Sequence, residues 1–412
     1  MNEFNNLVNA IKGIMEASTT FDIYAARKIV QLINKFQNTR YGGIVSIEVL
    51  EKEYANFSDF LKFWHNNYEQ IIGCEINDSV CEKVAVALHD IYSLTGGNAF
   101  KKDWNRNGLS NEDICRIKLF TANQDFRDSL DFKEISDKFI DDPSSFDERI
   151  IADDPEQFVM TLGISQRSLT DKRNQYAKGI ASFVMEHGCS PIELIKCFDN
   201  DVSKLRDALI ECNIGYGKKT ADMFIRDMVM LGVWKDIFGF EKIDVASNVN
   251  TIKIALRTGI LTTAIPLESD FFDIFCNQYE YFDNLNTKAW RKVWEKWRAL
   301  FPKETLESPC LIDYFTHEVI GQQFCVDNLA IFQCNDFGHV FRWHSIMNRT
   351  CQICYKEGRL NVKTHVIAKI RPCADPEGEI AILESKFVKD LPKEKKLKNC
   401  PFYNICSEHY TL

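Results

Sequence analysis

The sequence LIECNIGYGKKTADMFI (Leu209–Ile225) carries the most information about the fold. Apolar residues recur at helical spacing on both sides of its centre, so we expect one helix to end near Cys212 and a second to begin at Lys218. Between them, Gly215 and Gly217 permit a tight turn, because glycine tolerates backbone conformations that other residues avoid. The stretch therefore predicts two helices joined by a short turn.

The same turn is a candidate phosphate-binding site. The first N–H groups of a helix have no partner within the helix, and they attract anions. The two glycines expose these groups, and the amines of Lys218 and Lys219 add positive charge beside them. No strand-like pattern precedes the glycines, which argues against a dinucleotide-binding fold. The pattern favours a phosphate grip between two helices.

The segment GYGKKTA (Gly215–Ala221) resembles the hairpin of the helix-hairpin-helix DNA glycosylases, the superfamily that includes endonuclease III and the 8-oxoguanine glycosylases. Upstream, Asp171–Ala177 and Lys204–Leu209 resemble the helices that precede the hairpin in that family. The resemblance implies a mainly α fold and an enzyme that binds double-stranded DNA. It further implies that Lys219 is a catalytic nucleophile.

The resemblance also assigns roles to other positions. It implies DNA contacts at Gly215, Gly217, Lys218, Thr220 and Arg257. It places the catalytic carboxylate at Asp244, within KIDVASNVN. The chain departs from the family pattern in having Ala246 where His or Arg is usual, and in a longer spacing between Lys219 and Asp244.

The chemistry of base excision needs groups of this kind. Cleavage of an N-glycosidic bond passes through an oxocarbenium-like sugar that a nearby carboxylate stabilises. A lysine amine can attack the anomeric carbon and form a Schiff base, which permits β-elimination of the 3′ phosphate. The target base must first leave the duplex stack. Lys219 and Asp244 are the residues in this chain that we expect to perform these steps.

The expected function is therefore a DNA glycosylase that excises a damaged or modified base, with AP lyase activity, in base-excision repair or in the removal of modified DNA. One alternative is an N-glycosylase directed at RNA or at a nucleotide. Another is a DNA-binding protein without catalysis, in which Lys219 only binds phosphate and Asp244 only caps a helix.

The expected architecture has three parts. An N-terminal helical region spans 1–118, a glycosylase core spans 119–325, and a small cysteine-rich α+β region spans 326–412. Residues 338–344, 360–370 and 379–383 have the pattern of short strands. Trp290, Trp294 and Trp297 recur at helical spacing, which is more typical of a packed core than of base stacking.

The C-terminal cysteines predict a metal or cluster site. The chain has 15 cysteines, and more than half of them follow residue 309. The favoured site is a 4Fe–4S cluster, with Zn²⁺ as the alternative, held by Cys351, Cys354, Cys400 and Cys406. A second arrangement recruits Cys325 and leaves a separate zinc ribbon that includes Cys334, Cys373 or His365.

Composition sets limits on partners and location. The net charge is −9, but much of it lies in the acidic stretch 125–156, so the overall charge does not exclude a nucleic acid partner. No run of about 18 apolar residues occurs, which argues against a membrane span. We expect a monomeric, cytoplasmic protein.

Overall fold

The computed structural model of the chain is mainly helical, as expected. It describes residues 2–17, four positions between 25 and 32, 66–70, 72–102, 105–124, 131–164, 169–264, 279–324, 330–343, 350–351, 353–354, 357–359, 362–369, 400–402 and 405–406. Among these residues, no helix is both long enough and apolar enough to cross a membrane.

The described helices are numbered in chain order. They are α1 (Asn2–Ala17), α2 (Asp78–Thr95), α3 (Asn111–Ala122), α4 (Phe132–Asp141), α5 (Glu148–Asp153), α6 (Pro155–Thr161), α7 (Thr170–His187), α8 (Val202–Glu211), α9 (Lys218–Met230), α10 (Val249–Thr258) and α11 (Tyr279–Leu300). A turn of α-helix at Ile312–Tyr314 continues as a π-helix at Phe315–Phe324. The strands are β1 (Glu75–Ile76), β2 (Leu261–Thr262), β3 (Ala330–Cys334), β4 (Val340–Trp343) and β5 (Thr364–Lys369).

The chain divides into two compact units. The hairpin unit comprises Phe100–Ala246 and Leu306–Tyr314, and the terminal unit comprises Met1–Ala99, Ser247–Thr305 and Phe315–Leu412. The terminal unit thus takes segments from all three of the regions expected from the sequence. The limits 1–118, 119–325 and 326–412 remain a prediction as domain boundaries.

Much of the acidic stretch in the hairpin unit serves to begin helices. The side chain of Asp131 accepts hydrogen bonds from two N–H groups in the first turn of α4, and Asp147 and Asp154 accept from the first turns of α5 and α6. Such caps satisfy N–H groups that have no partner within the helix, each contributing about 1 kcal/mol. Part of the local negative charge therefore has a structural explanation.

Buried charges fix the second hairpin helix, α9, within its unit. Asp227 accepts a hydrogen bond from the amine of Lys118 at 3.0 Å and from the hydroxyl of Tyr314 at 2.8 Å. Arg226 donates to both Asp227 and Asp313. Burial alone would raise the pKa of Asp227, but Lys118 and Arg226 hold it well below its ordinary value. The carboxylate is therefore a buried anion that depends on its partners.

The terminal unit contains a tryptophan-rich core. The helices α2 and α11 pack against each other, and the three tryptophans of α11 are buried: Trp290, Trp294 and Trp297. The prediction that this stripe belongs to the core is confirmed. On the same helix, the amines of Lys292 and Lys296 form ion pairs with Asp78 of α2, at 3.0 and 2.7 Å. These two lysines of α11 are therefore paired within the protein.

A small antiparallel sheet lies near the C-terminus, in the order β4-β3-β5. The strand β3 pairs with β4, so that Gln333 lies opposite Val340, and β3 also pairs with β5, so that Cys334 lies opposite Thr364. The strands β4 and β5 fall within two of the three segments predicted as strands, and the third, 379–383, lies outside the described residues. We call this sheet, together with residues 335–339 and 350–363 as far as they are described, the Cys–His ribbon.

Candidate functional site

The hairpin turn has the conformation that its glycines predict. The helix α8 ends at Glu211 and α9 begins at Lys218. Gly215 has φ +85°, in the left-handed region. A Cβ atom at Gly215 would lie 2.5 Å from Cδ2 of Tyr176, so both the backbone conformation and the neighbouring ring require glycine. The expected pair of helices joined by a short turn is therefore present in the described chain.

Hydrogen bonds from other helices hold the turn in place. The amide nitrogen of Asn123 donates to the carbonyl of Tyr176 at 3.1 Å and to that of Ile214 at 2.9 Å. The hydroxyl of Tyr216 donates to the carbonyl of Leu119 at 2.5 Å, and burial raises the pKa of this hydroxyl well above its usual value. Because protein groups make these bonds, the turn keeps its shape without a ligand.

Gly217 begins α9 with no side-chain cap. Its backbone is extended, with φ −83° and ψ 172°, and glycine has no side chain that could accept a hydrogen bond from the first turn of α9. By contrast, Asp201 at the start of α8 accepts from the N–H groups of Ser203 and Lys204. A Cβ atom at Gly217 would meet nothing within 4 Å. The start of α9 therefore combines uncapped N–H groups with open space, which suits an anionic ligand.

The carboxylate of Asp244 contacts the hairpin through an ion pair with Lys218. The amine nitrogen of Lys218 lies 2.7 Å from Oδ2 of Asp244, with the lysine side chain half exposed and the aspartate side chain 9% exposed. Lys219 is exposed on the same first turn, and Thr220 is half-buried. Asp244 is thus paired with Lys218, which is the neighbour of Lys219, the predicted nucleophile.

Asp244 projects from a firmly held backbone. The residues on either side, Ile243 and Val245, are 0% and 1% exposed. The hydroxyl of Ser308 donates to the carbonyl of Ile243 at 3.0 Å. The buried neighbours anchor the segment, so the carboxylate has a defined position relative to the start of α9.

Two further expectations concern the helix α10. The N-cap of α10 is Asn248, which forms a capping box with Thr251, so Asp244 is not the cap of that helix. Arg257 lies near the end of α10 and is 1% exposed. A guanidinium at that depth does not face solvent, so its burial lends no support to the DNA contact predicted for Arg257.

The Cys–His ribbon brings together four residues that could hold a metal ion: Cys334, His339, Cys351 and Cys354. Their ligand atoms all lie within 4.8 Å of one another. The Sγ atoms of Cys334 and Cys354 are 3.9 Å apart, and Nδ1 of His339 lies 3.8 Å from Sγ of Cys351 and 3.4 Å from Sγ of Cys354. One ion placed among them could touch all four.

Two local motifs create this group. The carbonyl of His339 accepts from the backbone N–H of Cys334 at 2.8 Å, closing the turn between β3 and β4. Cys351 and Cys354 lie in a loop in which the backbone N–H of Cys354 donates to Sγ of Cys351 at 3.4 Å, while that of Phe337 donates to Sγ of Cys334 at the same distance. Backbone donors of this kind stabilise thiolates.

The thiols of the ribbon crowd one another. Burial opposes ionisation of Cys334, but the N–H groups of Phe337 and Asp336 outweigh it and lower the pKa of this thiol. Burial first, and then the neighbouring thiols, raise the pKa of Cys354 to about 12. A bound cation would favour the thiolate form of every cysteine in the group.

The ligand group differs from the one expected. Cys351 and Cys354 are brought together as predicted, but with Cys334 and His339. Cys400 and Cys406 are buried and do not belong to this group. The ring of Phe402, between them in sequence, lies edge-on to that of Phe315, with centroids 6.3 Å apart.

The other proposed ligands have different outcomes. His365 is exposed, and its Nδ1 lies 2.7 Å from Oδ1 of Asn335. Cys325 and Cys373 lie outside the described residues. His339 was not among the expected ligands, although its Cys-x4-His spacing from Cys334 was a usable signal.

Comparison with known proteins adds no identification: no protein-family model matches the chain, and no curated protein matches it at a significant level.

Proposed function

We propose that the chain is a DNA N-glycosylase, which takes a damaged or modified base out of double-stranded DNA and excises it. The observation that carries the proposal is the ion pair between Lys218 and Asp244. It brings a carboxylate to the start of α9, where the uncapped N–H groups suit a phosphate. The resemblance of Gly215–Ala221 to the helix-hairpin-helix glycosylases supports the same function.

In this proposal the hairpin grips the DNA backbone. A phosphate approaches past Gly217, where the space is open, and accepts hydrogen bonds from the first turn of α9. The amine of Lys218 is half exposed and can turn from Asp244 to that phosphate. Phosphate binding would then separate the amine of Lys218 from the carboxylate of Asp244.

Asp244 would stabilise the positive charge that develops on the sugar as the glycosidic bond breaks. Lys219 keeps the role of nucleophile that the resemblance implies, because the amine of the neighbouring Lys218 is engaged by the carboxylate of Asp244. Lys219 is exposed beside that pair. Attack by its amine on the anomeric carbon would give the Schiff base of an AP lyase.

For the Cys–His ribbon we propose one structural zinc ion. With Zn–S bonds of about 2.3 Å and a Zn–N bond of about 2.0 Å, a tetrahedral ion places two sulfurs about 3.8 Å apart and a sulfur and a nitrogen about 3.5 Å apart. The corresponding distances here are 3.9 Å, and 3.8 and 3.4 Å. In a 4Fe–4S cluster each ligand binds a different iron, which needs a wider group. All four zinc positions would be protein ligands, as in structural sites.

The activity is tested with a panel of duplexes that carry modified bases. Wild-type protein should release free base, and borohydride should trap a covalent adduct with the DNA. The adduct should be lost in Lys219→Ala and retained in Lys204→Ala, a matched change at an exposed lysine of α8. If the adduct is instead lost in Lys218→Ala and retained in Lys219→Ala, the nucleophile is Lys218.

The same assay separates the competing functions. DNA binding without base release from any duplex would indicate a hairpin that serves only as a clamp. Release from RNA or from a free nucleotide, in preference to DNA, would indicate a glycosylase directed at those substrates. Base release with no trapped adduct would indicate a glycosylase without AP lyase activity.

A further inference from the structure

We propose that Cys189 and Cys197 form a site of reversible oxidative modification, at which a hydroperoxide converts the two thiols into an intramolecular disulfide. The thiol of Cys197 donates to Sγ of Cys189 at 3.4 Å. A disulfide bond is about 2.05 Å long, so the sulfurs must approach by about 1.4 Å, which side-chain rotation can supply. Neither cysteine belongs to the hairpin turn or to the Cys–His ribbon.

The fold itself brings the two thiols together. Cys189 follows the end of α7, and Cys197 lies in the 3₁₀ turn Leu194–Phe198, which precedes α8. The connecting loop is fixed, since the indole nitrogen of Trp234 donates to the carbonyl of Ile192 at 3.1 Å. The proximity of the sulfurs is therefore a property of the folded chain.

The surroundings assign different roles to the two sulfurs. Cys197 is exposed, whereas Cys189 is partly buried. Burial first, and then the hydrogen bond with Cys197, raise the pKa of Cys189 to about 12. Cys197 is therefore the sulfur that meets an oxidant first, and Cys189 is the one that resolves the product. By comparison, Cys115 and Cys310 are buried and out of reach of an oxidant.

The reaction is balanced with hydrogen peroxide as the oxidant. The thiolate of Cys197 attacks one peroxide oxygen, the O–O bond breaks, and the other oxygen leaves as water once protonated, which gives a sulfenic acid. The sulfur of Cys189 then attacks the sulfenic sulfur, the S–O bond breaks, and the hydroxyl leaves as water with the thiol proton. Two thiols and one peroxide give one disulfide and two waters, and a dithiol reductant reverses the change.

Peptide mapping of the full-length protein tests the proposal. The protein is treated with one equivalent of hydrogen peroxide, the remaining thiols are alkylated, and trypsin is added. Cleavage after Lys196 separates residues 179–196 from residues 197–204, each with a single cysteine. The expected product is these two peptides joined, with two hydrogens fewer than their sum, and separated again by reductant.

Matched variants make the result specific. Cys212→Ser changes another exposed cysteine and should leave the joined product intact. Cys189→Ser should abolish it and leave Cys197 at the sulfenic or a higher oxidation state. The proposal is overturned if peptides 179–196 and 197–204 are both recovered fully alkylated, if either is joined mainly to another peptide, or if urea-unfolded protein forms the link as fast as folded protein.

Discussion

The hairpin and the Cys–His ribbon hold their functional groups in different ways. In the hairpin, neutral protein groups set the turn: Asn123 and Tyr216 supply hydrogen bonds, and the ring of Tyr176 packs against Gly215. In the ribbon, three thiols and an imidazole converge so that their ligand atoms all lie within 4.8 Å of one another. The hairpin is thus organised before any ligand binds, whereas the ribbon gathers groups whose mutual crowding a cation would relieve.

This difference predicts opposite responses to the loss of a ligand. Without an anion, the hairpin should keep its shape, because its hydrogen bonds are made within the protein. Without a metal, the ribbon should lose its order, because the energy of metal binding is part of its folding energy. Substitutions in the two regions therefore distinguish a site held by protein hydrogen bonds from a site held by a metal ion.

The largest expected effect is in the ribbon. Cys354→Ser removes a central ligand, so zinc content should fall from about one equivalent to near zero, as metal analysis would show. Amide signals of the ribbon should be lost while those of the hairpin persist. The control is Cys212→Ser, which should retain the metal. A brown protein with absorbance near about 400 nm would replace the zinc proposal with an iron–sulfur cluster.

The next effect concerns the buried charges behind the hairpin. Asp227→Asn leaves Lys118 and Arg226 with fewer anionic partners, so the free energy of unfolding should fall by about 3–5 kcal/mol at neutral pH. Denaturant titration measures this change. A loss below about 1 kcal/mol would show that these pairs do not hold α9 in place.

The same carboxylate predicts a pH dependence. The pKa of Asp227 is lower in the folded protein than in the unfolded chain, where it is about 3.9. Its contribution to stability is therefore complete above the unfolded pKa, and it is lost as the pH falls from there through the folded pKa. Below about pH 4, wild-type protein should lose stability more steeply than Asp227→Asn. Parallel acid profiles for the two proteins would contradict this expectation.

The two hairpin glycines should differ from each other. Gly215→Ala places a Cβ against Tyr176 in a left-handed conformation, so it should cost about 2–4 kcal/mol of stability. Gly217→Ala meets open space in an extended conformation and should cost under about 1 kcal/mol. Gly217→Ala should nevertheless weaken DNA binding, because its methyl group stands where a phosphate would approach. If this folded variant bound DNA as tightly as wild type, Gly217 would not lie at a phosphate-binding site.

The smallest effect is expected at Lys218. Lys218→Ala removes one cation from the start of α9, so DNA affinity should fall a few-fold and the salt dependence of binding should decrease by about one ion. Lys204→Ala, on the preceding helix, is the matched control and should bind as wild type. An equal loss in both variants would indicate only a change in overall charge.

The hairpin could be predicted from the sequence because its signals are local. Glycines within a run of helical periodicity mark both helix ends, and the structure places them at Glu211 and Lys218. The lysine that pairs with Asp244 could not be predicted. Adjacent residues on a helix point about 100° apart, so the partner depends on how α9 is rotated against its neighbours.

The ribbon could be predicted only in part, because its ligands come from separate segments. Short strands were expected near β4 and β5, and the Cys351/Cys354 pair was expected to bind a metal. The choice of the remaining ligands depends on strand pairing: the turn after β3 brings Cys334 and His339 together, and the pairing of β3 with β5 places that turn beside the loop. Sequence spacing alone favoured Cys400 and Cys406 instead.

The most direct test of the central proposal is base release by Asp244→Asn. Free bases from duplexes with modified bases are measured by mass spectrometry for wild type, for Asp244→Asn and for Asp207→Asn, a matched change at an exposed aspartate of α8. We expect Asp207→Asn to match wild type and Asp244→Asn to release base more slowly by about 100-fold or more. Undiminished release by Asp244→Asn would contradict the assignment of this carboxylate to the cleavage of the glycosidic bond.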